Sequence, residues 1–234
     1  MIIQIYTVQT PEEGIALAQL GVNHVGITPA NSGLPGEVSD EQARIIFESI
    51  GNLATKVALS VEQDLARIAA MVKNVNPNIL HLCGNPNRMV SPEGVAELKQ
   101  MLPGLMVMQA VPVTGSEALE IARSYQSVAD YLILDSFSPA IGGVGAAGVT
   151  HDWSISRKIV QNSRLPVILA GGLSPENVAE AIGAVHPWGV DSLTRTNLPL
   201  GGGKFRKDLE RVAQFVANAQ AEAEKSSTDR FDGK

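Results

Sequence analysis

The sequence predicts a closed (β/α)8 barrel, and three observations predict it. Short runs rich in Val, Ile and Leu alternate with amphipathic stretches of ten or more residues, which is the signature of repeated strand–helix units. Eight such units can be counted. The chain has 234 residues, a length at which an α/β barrel still closes as one domain. An open doubly wound sheet is the weaker alternative, because eight strands each followed by a helix fill a barrel without remainder.

The elements follow in order. Strands are expected at IIQIYT (2–7), HVGIT (24–28), KVALS (56–60), ILHLC (79–83), LMVMQAV (105–111), YLILD (131–135), VILAG (167–171) and GVDSL (189–193). Helical patterns follow them at 11–20, 40–50, 62–74, 92–101, 116–125, 152–162, 175–184 and 205–223. Thr10 before Pro11 and Ser174 before Pro175 each join a capping side chain to a proline suited to the first helical position. The barrel is expected over 1–222, and the polar stretch 223–234 reads as a frayed tail.

Composition narrows the function. Hydrophobic residues make up 44% and charged residues 18%, enough apolar material for a sizeable core. A net charge of −6 argues against a nucleic-acid surface, which needs clustered Lys and Arg. No targeting segment or membrane-length apolar run is evident, so a cytoplasmic protein without membrane contact is expected. Cys83 is the single cysteine, paired-cysteine zinc spacing is absent, and no metal or cofactor is expected. The expected partner is a small phosphorylated sugar, with a homodimer possible.

Barrel enzymes place their chemistry at the carboxyl ends of the strands, so a polar residue that ends an apolar run is a candidate. Asp135 stands out, because a carboxyl after four apolar residues is costly to desolvate unless it is used or paired. His81 and Cys83 share a strand face, as do Gln4 and Tyr6. Each of these also has a plain structural reading as a packed core residue. Asp191 is open between catalysis, a ligand hydroxyl and a loop contact, with the ligand contact favoured. Glycine loops follow three successive strands, as IGGVG, LAGGLSPENV and LTRTNLPLGGGK. Glycine lets the backbone approach an anion closely, so Gly143, Gly145, Gly171 and Gly172, with Thr194 and Arg195, read as a phosphate cradle.

The stretches LILDSFSPAIGGVG…HDWS, PVILAGGLSPENVAEAI, GVDS and GGGKFRKDLERVAQFV resemble phosphoribosylanthranilate isomerases, the tryptophan-pathway barrel enzymes. The likeness is best over 131–216. It implies the barrel, a phosphorylated sugar substrate, Asp135 as general acid, and phosphate contacts at Gly143, Gly145, Gly171 and Gly172. The chain also departs from the pattern. Tyr6 stands where the family has its basic cysteine, Cys83 stands at the family's histidine, and GLPGEVS lacks the arginine that clamps the anthranilate carboxylate. From these departures follows an expectation of aldose–ketose isomerisation on a substrate other than phosphoribosylanthranilate, with Cys83, His81 or Tyr6 as the partner of Asp135. Alternatives are a phosphate-binding barrel lyase or epimerase, or a non-catalytic sugar-phosphate-binding regulator.

Overall fold

A computed structural model describes residues 1–30, 32–84, 86–138, 143–144 and 150–228. Eight parallel strands close into a barrel: β1 (Ile2–Ile5), β2 (His24–Ile27), β3 (Thr55–Ser60), β4 (Ile79–Leu82), β5 (Met106–Pro112), β6 (Tyr131–Asp135), β9 (Val167–Leu169) and β10 (Gly189–Ser192). Around the barrel the order is β1-β10-β9-β6-β5-β4-β3-β2, so β10 lies directly between β1 and β9. Two short hairpins decorate the carboxyl-end face. One pairs β7 (Phe137–Ser138) with β8 (Gly143–Val144), and the other pairs β11 (Asn197–Gly201) with β12 (Lys204–Lys207).

Helices α1 (Pro11–Gln19), α2 (Asp40–Ile50), α3 (Leu65–Val75), α4 (Pro92–Met101), α5 (Ala118–Ser124), α6 (Trp153–Asn162), α7 (Val178–Val185) and α8 (Leu209–Thr228) form the outer layer. Their starts obey local chemistry. Thr10 accepts from the Glu13 N–H, and Ser39, Asp64, Ser91 and Asp152 cap α2, α3, α4 and α6 in the same way. Such a side chain satisfies an N–H the helix cannot, for about 1 kcal/mol. At Ser174 and Pro175 the expected start is displaced: those residues form a turn, and α7 begins at Val178. The last helix also differs from its expected span. Residues 204–207 form a strand, α8 starts at Leu209, and it runs six residues past the expected barrel boundary at 222.

Alternation along each strand sorts the core into two layers. Ile3, Ile5, Val25, Leu80, Leu132 and Leu169 face outward against the helices, within one large apolar cluster. Tyr6, Val57, Ile79, Cys83, Met108, Ile133 and Ile168 fill the barrel interior. Gln4 is also fully buried, and its register partner on β10 is Asp191. Gln4 therefore sits just below the mouth, beside the strand end that carries Asp191.

Candidate active site

At the carboxyl end of the barrel a cavity of about 850 Å³, open mouth included, gathers most of the residues singled out from sequence. Tyr6, His81, Cys83, Asp135, Gly171, Gly172, Asp191, Thr194 and Arg195 all line it. Gly143 pairs with Ser138 in the hairpin that follows β6, and Gly145 lies outside the described residues.

The cavity has two unlike ends. On one side are Gly171, Gly172, Thr194 and Arg195, following β9 and β10; across the mouth, Leu34, Pro35, Leu59 and Val61 follow β2 and end β3. Gly171 is required where it stands. Its φ is +84°, and a Cβ there would lie 2.3 Å from the Ser136 hydroxyl. A shallower pocket adjoins this polar end, shares Gly172 and Arg195 with it, and adds Ser174, Asn177 and Arg211. The third glycine run does not belong to this group. Gly201, Gly202 and Gly203 form the exposed tip of the β11–β12 hairpin, with φ values of +86°, +60° and +77° and nothing nearby. Their sequence signal is that of a turn.

Each ionisable group is shaped by burial. Asp135 accepts from its neighbour Ser136 N–H at 2.7 Å, yet desolvation raises its pKa to about 7. Asp191 rises to about 8 through burial and the Asp135 charge, opposed by a hydrogen bond from Gln4 Nε2 at 3.1 Å and by Lys207. Lys207 is 1% exposed, and its ammonium donates to Tyr6 O and Asn197 Oδ1. Burial lowers it to about 7 against the pull of Glu13 and Asp191.

The groups from the other side of the mouth move away from neutrality. Tyr6 Oη and His81 Nδ1 are 3.0 Å apart. Burial holds the phenol well above its ordinary value and drops the imidazole to about 3. Burial, together with Asp135 and Asp191, pushes the Cys83 thiol far up as well. This setting disfavours a thiolate at Cys83, since two carboxyls stand where a cation would favour one. His81 has the opposite defect, being too weak a base when buried.

His151, which follows the glycine-rich loop, is structural. Its Nδ1 meets Ser136 Oγ at 3.1 Å and its Nε2 meets Ser156 Oγ at 2.7 Å, which ties the end of β6 to α6. Lys207 escaped the sequence reading because KFRK looks like a solvated run, and His24, which meets Gln4 Oε1 at 3.1 Å, looks like an ordinary strand residue. Among the described residues no three His, Cys, Asp or Glu side chains gather so as to hold a metal ion. No helix among them is long and apolar enough to cross a membrane.

Residues 3–218 match the family model described as N-(5'phosphoribosyl)anthranilate (PRA) isomerase. The chain belongs to the PRA isomerase family. That membership makes it an isomerase of the phosphorylated-sugar class. Among curated relatives, the N-(5'-phosphoribosyl)anthranilate isomerase of Methanocella arvoryzae is 34% identical over 207 residues, covering 88% of this chain and 92% of that protein. The Beijerinckia indica protein of the same name is 33% identical over 221 residues, covering 94% of each. The solved phosphoribosyl anthranilate isomerase of Thermotoga maritima superposes with a TM-score of 0.76 at 27% identity, covering 94% of this chain and 100% of that one.

These likenesses correct the expectation of a substrate other than phosphoribosylanthranilate, and with it the lyase, epimerase and regulator alternatives. The relatives cited carry the name of that isomerase across about nine-tenths of the chain. The expectation rested on two missing side chains, but neither a base nor a carboxylate clamp fixes a substrate alone. Another group at the same mouth can move the same proton.

Proposed function

We propose that this chain converts N-(5'-phosphoribosyl)anthranilate to the corresponding 1-amino-1-deoxyketose phosphate by acid–base catalysis. The observation that carries the reading is the two-ended cavity lined by two carboxyls, in a chain of the PRA isomerase family. A phosphate fits the glycine end, where Gly171 and Gly172 line the cavity and Arg195 adds a cation able to meet two oxygens at once. An aromatic amine fits the apolar wall of Leu34, Pro35, Leu59 and Val61. The sugar then spans the distance past Asp135, which serves as general acid toward the ring oxygen. A carboxyl raised to about 7 still carries its proton near neutrality, as that role demands.

The test is direct. Purified protein is mixed with freshly made phosphoribosylanthranilate and the loss of the substrate's arylamine fluorescence is followed, alongside growth of a tryptophan auxotroph that lacks the isomerase. Turnover and growth are expected. A folded protein that gives neither would overturn the assignment.

A further inference from the structure

Resting on that reading, we propose that Asp191 is the base that removes the proton from carbon two of the sugar, while Asp135 acts as the acid. Position argues for it first. In the closed sheet β10 is the immediate neighbour of β1, with Asp191 in register with Gln4, so the end that carries Asp191 adjoins the strand end that carries Tyr6. Asp135 ends β6, with β9 and its glycine pair between β6 and β10. A sugar anchored at Gly172 therefore passes between two carboxyls that flank the glycine pair.

The side chains at position 6 and its neighbours are committed elsewhere. The Tyr6 ring lies flat against Gly26, where a Cβ would come within 2.3 Å of it, and its hydroxyl is engaged with His81. Asp191 is held ready instead. Gln4 donates to Oδ1, and Gln4 is itself fixed through Oε1 by His24 Nδ1, so Oδ2 is left for the substrate. Lys207 stands on the Asp191 side and pulls against the rise that burial and the Asp135 charge impose there; both carboxyls lie near neutrality, so either can hold or release a proton. The charge of Asp135 opposes ionisation of Asp191, so the pair resists double ionisation. One acid and one base is the complement the reaction needs.

The steps balance. Asp135 gives its proton to the furanose oxygen as the C1–O bond breaks, the electron pair passing to oxygen and the nitrogen lone pair forming C1=N. Asp191 takes the C2 proton; the C–H pair becomes C1=C2 and the C1=N pair returns to nitrogen. The enol so formed moves its hydroxyl proton to C1 and becomes the ketone. No oxidant or co-reactant enters.

The experiment compares wild type, Asp191→Asn, Asp135→Asn and Asp191→Glu with substrate carrying hydrogen or deuterium at C2, and measures binding of the reduced product analogue. Asp191→Asn is expected to lower kcat about 10²- to 10⁴-fold. Analogue affinity should stay within about threefold, which also reports a folded site. Its residual turnover should slow severalfold on deuteration, because proton abstraction has become limiting, and Asp191→Glu should recover part of the rate. Asp135→Asn should lose rate without that isotope sensitivity. Unchanged kcat with a raised KM in Asp191→Asn would reduce Asp191 to a hydroxyl contact and overturn the proposal, as would isotope sensitivity confined to Asp135→Asn. Wild type with no turnover would sink the parent reading and this one together, whereas full turnover in Asp191→Asn would sink this one alone.

Discussion

Desolvation acts on both sides of the barrel mouth, and the two respond in opposite ways. On the β1–β4 side, Tyr6, His81 and Cys83 are driven away from neutrality: the phenol and thiol upward, the imidazole down to about 3. On the β6–β10 side, Asp135 rises to about 7, Asp191 to about 8, and Lys207 falls to about 7. One cause produces both results. Desolvation favours the neutral form of every group, so it carries carboxyls up and ammonium groups down toward pH 7, and carries phenol and thiol up and imidazole down away from it. Residue types with convenient pKa values in water are therefore the wrong candidates in a dry site, and carboxyls and lysines are the right ones.

Four measurements would break or sharpen that contrast. The largest effect belongs to Asp135→Asn, expected to lower kcat about 10²- to 10⁴-fold in the fluorescence assay, because a neutral amide cannot deliver a proton. Next, Arg195→Ala should raise KM about tenfold and weaken competition by inorganic phosphate, with kcat nearly unchanged, since a phosphate contact made equally in ground and transition states acts on binding. Cys83→Ala should change kcat by less than about threefold and leave the pH–rate profile in place; a loss beyond about tenfold would move chemistry to the β1–β4 side and end the contrast.

The smallest effect is on stability. Asp135 holds its proton more tightly folded than unfolded, so its contribution is fully present below about pH 4 and is lost as pH rises through about 7. Asp135→Asn lacks that loss. Its Tm should exceed wild type at alkaline pH, and the gap should close near pH 4. A gap independent of pH would mean that the carboxyl is not strained by burial.

Much of the barrel was legible because each strand is a short apolar run and each helix an amphipathic one. The span of β6, 131–135, and those of α2 and α4 match the sequence reading to the residue. Legibility ended where local signals had two meanings. Gly201–Gly203 read as anion-binding backbone but serve a hairpin tip, and that hairpin shifted the start of α8 from 205 to Leu209. At the site, Asp135 was readable because a carboxyl interrupts an apolar strand. Lys207 was not, because its burial depends on α1: Glu13 accepts the Lys207 N–H at 2.8 Å and binds Gln9 N–H with its other oxygen, which folds the hairpin back over β1. Contacts spanning 194 residues leave no mark on a local pattern.

The packing of Tyr6 on Gly26 constrains how this enzyme can change. Placing a cysteine at position 6 alone would leave a ring-sized void beside a residue with no side chain to fill it, at a cost of about 3–5 kcal/mol for so large a truncation. Enlarging position 26 first is blocked, because the new Cβ would fall within 2.3 Å of the ring. Neither step is open without the other, so the pair acts as a ratchet. A thiol at position 6 therefore calls for substitution at both positions, each single change destabilising this corner of the mouth.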